Sequence, residues 1–274
     1  MEGCDSKNGS DSFLDCLLFD LDDTLYSRST GMAEFCRTNI NEFLMQRFGL
    51  TVEDASKLRV DLFRTYGSSL AGLRALGYDI DADEYHSFVH GRLPYDLIKP
   101  DAELRDVLKR IKKRKLVFTN SDRVHAHKVL HRLNIGDCFE GIICFETLNP
   151  NISKSKRPDE YPVILKPSKE AMEIAIAVAK ADPLRTLFFD DNVRNVAAGK
   201  SIGLQTVLVG KSTKSKEADY AIDSIHDLHA VIPQRWLADT EVNDNTEAVV
   251  ASDYQSISCK PSESSVSTTT LVRA

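Results

Sequence analysis

The sequence predicts an α/β protein, a doubly wound parallel sheet with an all-helical module inserted after its first strand. Three observations carry this. Five short apolar runs recur along the chain, each closed by a turn or helix signal. Amphipathic helical patterns separate most of them, which is the alternation that parallel sheets require. The alternation lapses once, between about residues 29 and 99, where helical patterns follow one another without a strand.

The elements follow in chain order. Residues 1–13 are polar and acidic with no apolar signal core, and read as a flexible N-terminus. Cys16–Asp20 is the first strand. In the inserted segment, Met32, Phe35, Cys36, Ile40, Phe43 and Leu44 mark one apolar helix face. Thr51 followed by Asp54 resembles a helix start, with Leu58, Leu62 and Phe63 apolar behind it. Asp81 and Glu84 repeat that pattern before Tyr85, Phe88 and Val89. The module therefore spans 29–99, and the α/β core takes 14–28 and 100–234.

Beyond residue 100, Leu104, Val107, Leu108 and Ile111 keep helical spacing, and Leu116–Asn120 is the second strand. Ala126, Val129, Leu130 and Leu133 give the next helix, and Gly141–Phe145 the third strand. Glu146–Pro162 contains the charged, loop-like run NPNISKSKRPDE, placed to reach a pocket rim. Ala171, Ile174, Ala175 and Val178 form a helix face. Pro100 and Pro167 suit first helical turns. Thr186–Asp190 and Gln205–Val209 are strands, Gly203 caps the helix between them, and Tyr220–Ile222 is a weaker sixth strand. Residues 235–274 are Ser/Thr-rich, lack periodicity and read as a disordered tail.

Composition narrows the function. Hydrophobic residues make up 42% of 274, enough for a substantial core. The net charge of −6 disfavours a nucleic-acid polymer as partner but permits a small anion in a locally positive site. No run is long and apolar enough to predict a membrane span. The six cysteines form no CxxC pair, and Cys16 and Cys144 lie in apolar runs, so reduced core thiols are expected. Cytoplasm is the default compartment, and the basic run Lys109–Lys115 leaves a nuclear location open, although a helix C-terminus explains that run as well. Oligomeric state is not legible.

Chemistry concentrates at four strand ends, where ligands bind in open α/β sheets. Asp20 and Asp22 stand two apart on a chain leaving an extended conformation, so both can enter one pocket. One carboxylate can attack phosphorus, while the other protonates a leaving oxygen and then deprotonates water. Crowding would raise a carboxylate pKa, which suits the acid role. Thr119 and Asn120 end the second strand, where a hydroxyl and amides can hold a phosphoryl oxygen. Lys166 precedes a helix and can offset the charge of phosphate and nucleophile. Asp190 and Asp191 have no basic partner in sequence and suit a hard cation, with Mg2+ the best fit.

In this order the motifs resemble the haloacid dehalogenase (HAD) superfamily: DxDxT at Asp20–Thr24, the strand-end Thr119, Lys166, and the acidic pair Asp190–Asp191. The resemblance covers roughly residues 14–232 and implies a Rossmann-like core with a C1-type helical cap. It implies Asp20 as phosphorylated nucleophile and Asp22 as general acid/base. It further implies magnesium held by Asp20, the Asp22 carbonyl and Asp191, with Asp190 acting through water or from behind. Both aspartates of the first motif are present, which favours phosphoryl chemistry over dehalogenation. A helical cap implies a small-molecule phosphomonoester substrate. The stretches Tyr66–Leu73, Leu93–Tyr95, Lys99–Asp101 and DLDDTLYSRSTG resemble the pyrimidine 5′-nucleotidase branch, which implies UMP- or CMP-like substrates. A phosphatase of another small metabolite, a mutase, and a non-catalytic binding module stay open as alternatives.

Other features have plainer readings. His125, His127 and His131 suggest a metal site by their spacing, but without acidic or thiol partners nearby an exposed helix face is expected. Tyr66 and Tyr95 either stack on a base or fill the seam between module and core. Asn192 and Arg194 read as support for their loop.

Overall fold

The computed structural model describes residues 14–152, 162–211 and 215–232. These lie within a single unit of the chain. The expected N-terminal segment, the tail and most of the NPNISKSKRPDE run fall outside the described residues.

Six parallel strands form one sheet: β1 Cys16–Phe19, β2 Arg114–Phe118, β3 Gly141–Ile143, β4 Thr186–Asp190, β5 Gln205–Val209 and β6 Tyr220–Ile222. Their order is β3-β2-β1-β4-β5-β6. The chain winds outward from β1 through β2 to β3, then returns to the other side of β1 with β4. That reversal beside β1 is the crevice where such sheets bind ligands. Strand residues alternate between two cores. Leu17 and Phe19 join Val117, Leu187 and Phe189 on one side, while Cys16 and Leu18 join Leu116, Phe118 and Phe188 on the other. Burial on both faces explains why these strands are apolar throughout.

Four helices make up the insertion that follows β1: α1 Met32–Phe48, α2 Val52–Tyr66, α3 Ser69–Ala75 and α4 Ala82–Val89. Their starts are chemically marked. Thr51, Ser68 and Asp81 accept the amides of Asp54, Ala71 and Glu84. Helix α3 lies so close to α2 that a Cβ on Gly72 would meet Leu62 Cδ2 at 2.6 Å and Tyr66 Cδ2 at 2.9 Å. The apolar faces of this insertion join the same core as Leu18 and Phe118. Phe35 departs from the expected face: it is 45% exposed, and Asn39 is buried instead, donating to the Val89 carbonyl (2.7 Å).

The remaining helices are α5 Ala102–Arg110, α6 Arg123–Leu133, α7 Phe145–Leu148, α8 Lys169–Ala179 and α9 Val193–Ser201. Pro100 and Pro167 do not occupy first turns. Each precedes an N-cap, Asp101 or Ser168, whose side chain accepts the amide three residues on and so sets a later start. On α8, Val178 is exposed, and Met172, Ile176 and Ala179 fill the core. Gly203, at φ +98°, closes α9 with its amide on Lys200 O. The start of the 146–162 stretch is helical rather than loop, because Glu146–Leu148 belongs to α7. The basic run is split: Lys109 and Arg110 end α5, whereas Lys115 is buried in β2 with its ammonium on the carbonyls of Ile111 and Lys113. Cys16, Cys36, Cys138 and Cys144 are free thiols, and Cys4 and Cys259 lie outside the described residues. Among the described residues no helix is long and apolar enough to cross a membrane.

Candidate active site

The C-terminal ends of β1, β2 and β4 converge. Asp20 follows β1, Thr119 follows β2 and Asp190 closes β4. Lys166 reaches between them from the turn before α8. It is 2% exposed, and its ammonium donates to Asp20 Oδ1 (2.7 Å), Asp190 Oδ2 (2.8 Å) and Phe118 O (2.8 Å). The rings of Phe118 and Phe188 flank it at 4.9 and 5.5 Å. Asn120 holds Lys166 by its backbone, donating to the carbonyl and accepting from the amide, each at 2.9 Å. The Thr119 hydroxyl is buried and accepts the Ser121 amide (3.0 Å).

Asp20 also receives the Thr24 hydroxyl on Oδ2 (2.8 Å), and the same hydroxyl oxygen accepts the Asp191 amide (3.1 Å). Asp190 is fully buried. Beyond Lys166, it accepts the Asn192 amide and both oxygens face Asn195 Nδ2 at 2.9 and 3.0 Å. Asp191 is more open and is joined to Asp23 by Arg28, at 2.7 and 3.1 Å. Asp23 takes φ +60°, a left-handed geometry unusual for a side-chain-bearing residue, and its Oδ1 is buried without a partner.

One buried lysine thus serves two buried carboxylates, with two more carboxylates adjacent. Burial pushes the Asp20 carboxyl up, against the pull of Lys166. It pushes Asp190 up to about 7 and, with the charges of Asp20 and Asp23, Asp191 to about 6. Lys166 stays charged, because Asp190 and Asp20 outweigh its own burial. Carboxylate oxygens of Asp20, Asp190 and Asp191 lie within 4.8 Å of one another. This surplus of hard oxygen donors, with an orphaned oxygen on Asp23 beside it, fits a divalent cation such as magnesium. Asp190 is fully buried and accepts from Lys166, Asn192 and Asn195, whereas Asp20 and Asp191 keep some exposure and are the two that would hold it.

Asp22 lives in a different environment. It receives Tyr26 OH and His125 Nε2 on Oδ1 and Ser121 Oγ on Oδ2, each at 2.7 Å. Burial alone would raise this carboxyl, but His125, Tyr26 and Ser121 outweigh it and hold it well below the usual range. The crowding expected to raise Asp22 therefore acts on Asp20, Asp190 and Asp191 instead. His125 Nδ1 faces Tyr95 OH (2.8 Å), and that hydroxyl donates to His90 O (3.1 Å). With its one proton so used, Tyr95 accepts from Nδ1, which makes His125 a donor at both nitrogens. Burial opposes this charge, and Asp22 outweighs it, raising the His125 pKa.

His125 corrects the expectation of an exposed histidine face. His127 and His131 are exposed, but His125 is 3% exposed and buried against the site. Its signal was present: it lies four residues before Val129, on the buried stripe of α6. Ser121, Tyr26, Arg28 and Asn195 were likewise not singled out by sequence. Asn192 caps α9, accepting the Arg194 amide, as support for its loop requires.

The accessible 35% of the Asp22 side chain faces a cavity of about 380 Å³ between the insertion and the core. Its lining is largely apolar, including Ile40, Phe63, Leu70 and Phe145, with Arg37 and Arg59 as the cations of the insertion side. Arg59 is oriented by Asn41 (2.9 Å). Neither Tyr66 nor Tyr95 lines it: Tyr66 packs beside Gly72, and Tyr95 is bound to His125.

Residues 14–203 match the family model described as haloacid dehalogenase-like hydrolase. The chain belongs to the haloacid dehalogenase-like hydrolase family. Phosphate metabolism protein 8 of Saccharomyces cerevisiae is 31% identical over 199 residues, covering 69% of this chain and 60% of that protein. The match thus spans less than two thirds of that relative's length. Among solved structures, a HAD phosphatase from Thermococcus onnurineus is similar with a TM-score of 0.53 and 16% identity, over 80% of this chain and 97% of the other. The HAD-hydrolase YfnB from Bacillus subtilis, bound to magnesium and showing interdomain movement, gives 0.51 and 18%, over 80% and 98%. These likenesses show a shared HAD fold, with its Rossmann-like parallel sheet.

Proposed function

We propose that this HAD-like hydrolase is a magnesium-dependent phosphatase of small phosphomonoesters, with pyrimidine nucleoside 5′-monophosphates as substrates. The observation that carries the reading is the pairing of two aspartates in different settings. Asp20 is gripped by Lys166 and Thr24, while Asp22, held ionised by His125, Tyr26 and Ser121, opens on the cavity.

In this reading Asp20 attacks phosphorus, the bond to the leaving oxygen breaks, and an aspartyl phosphate forms. The proton that Asp22 passes to the leaving oxygen arrives with the monoanionic phosphate of the substrate. Asp22 then takes a proton from water, which attacks the aspartyl phosphate and frees inorganic phosphate. Lys166 keeps Asp20 aimed and offsets its charge. Thr119 stands where a phosphoryl oxygen would be received, and Asn120 fixes Lys166. Magnesium, held by Asp20, the Asp22 carbonyl and Asp191 with Asp190 behind them, would supply positive charge where phosphate and nucleophile meet. The helical insertion acts as the cap that closes over the substrate.

The nucleotide assignment rests on the resemblance of the insertion, together with a cavity of about 380 Å³ that suits a small ligand. Its largely apolar lining favours a second reading, another small phosphorylated metabolite with fewer polar groups to satisfy. Phosphate release from a panel including UMP, CMP and sugar phosphates, with magnesium or EDTA, separates the two. Release from UMP and CMP that disappears with EDTA and in Asp20→Asn supports the first. Release from other members only discards the nucleotide. Silence from folded protein across the panel removes the phosphatase reading.

A further inference from the structure

The strip of chain that leaves the insertion, His90–Tyr95, touches the N-terminus of α6 at two places. His90 Nδ1 meets Asp122 Oδ2 at 2.5 Å, and Tyr95 OH meets His125 Nδ1 at 2.8 Å. The same Tyr95 hydroxyl donates back to His90 O, so the two contacts share one small scaffold. Asp122 is also the N-cap of α6 and accepts the His125 amide (3.0 Å). The rings of His90 and His125 lie 4.6 Å apart. His125 therefore has no freedom of its own. Its backbone is fixed by Asp122 and its ring by Tyr95, and the ring's remaining nitrogen ends on Asp22 Oδ1.

Asp22 is thereby tied to both roots of the insertion. Tyr26, on the chain entering it, donates to Asp22 Oδ1. His125, steered by the chain leaving it, donates to the same oxygen. A carboxylate on a turn has rotational freedom, and a misplacement of about 1 Å can cost a hundredfold in rate. We propose that His125 is the positioning residue of Asp22, and that Tyr95 and His90 make its hold conditional on the seating of the helical insertion. The inference rests on the phosphatase reading, in which Asp22 must face the leaving oxygen. It adds that the aspartate is correctly aimed only when the insertion is docked on α6, so that closure and competence are one event. Ser121, fixed to the core, holds the other oxygen in either state.

The test is steady-state hydrolysis of p-nitrophenyl phosphate with magnesium by wild type, Tyr95→Phe, His125→Gln and His125→Leu, with thermal melts of each. Tyr95→Phe keeps the ring and removes one hydroxyl, so it preserves the packing. The expected result is a fall in kcat of about tenfold in Tyr95→Phe and a hundredfold in His125→Leu. KM should stay within about twofold, because neither residue binds phosphate in this reading. His125→Gln, whose amide can donate at the position of Nε2, should recover part of the loss. Wild-type kcat in both Tyr95→Phe and His125→Leu overturns the inference and leaves the phosphatase reading standing. A loss confined to KM, or one that Gln rescues no better than Leu, overturns it too. Absence of turnover by folded wild type, on this probe and on the phosphomonoester panel, overturns the phosphatase reading and the inference with it.

Discussion

Lys166 commits its three ammonium protons to Asp20, Asp190 and a backbone carbonyl, and it is buried. Lys166→Met fills the slot but leaves two buried carboxylates without their counter-charge. Removing one partner of a buried pair costs about 3–5 kcal/mol. Urea unfolding of this variant should show a loss of that order, and phosphate release should be lost with it. His86 makes a different prediction. It lies edge-on to Phe145 at 4.5 Å and faces His90, Asp122, Glu146 and His125. Burial lowers its pKa to about 4 from an ordinary 6.5. As pH falls below 6.5 the unfolded chain takes up a proton that the folded chain refuses, so stability declines between 6.5 and 4. The difference amounts to about 3 kcal/mol, and His86→Phe should flatten that part of a stability-versus-pH curve. At this scale the sequence was legible wherever a residue closes a strand. Asp20, Thr119 and Asp190 needed only the end of an apolar run to be placed together. His125 was not legible in the same way, because its meeting with Asp22 depends on how α6 lies against the end of β1, and no local pattern encodes that distance.

Helix starts were legible where a side chain does the capping, as at Thr51 and Asp81, since the cap and the amide it satisfies are three residues apart. Faces were less so. Periodicity placed Phe35 and Val178 on buried stripes, but a helix in a shallow layer buries a narrower arc than its apolar residues cover, and both end up exposed. Helix α3 could not be read from its own seven residues, which are too few to be helical alone. It exists because Ser68 caps it and because α2 accepts it at close range through Gly72. Gly72→Ala should therefore cost about 1–3 kcal/mol despite the better helix propensity of alanine, since the added methyl drives into Leu62 and Tyr66. Chemical denaturation of this variant settles the sign: stabilisation would show that α2 and α3 can part without penalty.

For the whole molecule, parallel pairing followed from the alternation of strands and helices, whereas strand order did not, because the pattern is the same whichever side of β1 receives β4. The insertion and the sheet share one apolar core, so the candidate cation site should report on the stability of both. A magnesium concentration tenfold above its Kd should stabilise the folded chain by about 1.4 kcal/mol, visible as a rise in Tm that EDTA reverses and that Asp191→Ala lacks. The position of β1 has a consequence for how the chain is made. Its register partners are Arg114–Val117 on one side and Thr186–Phe189 on the other, both far downstream. The strand that leads into Asp20 is thus the first of the sheet to be made, yet it gains its second neighbour only once β4 has followed. Contacts of such long range are slow to form. Until β4 has been synthesised, CLLF is an apolar tetrapeptide with an open edge, and the growing chain needs protection from association during that interval.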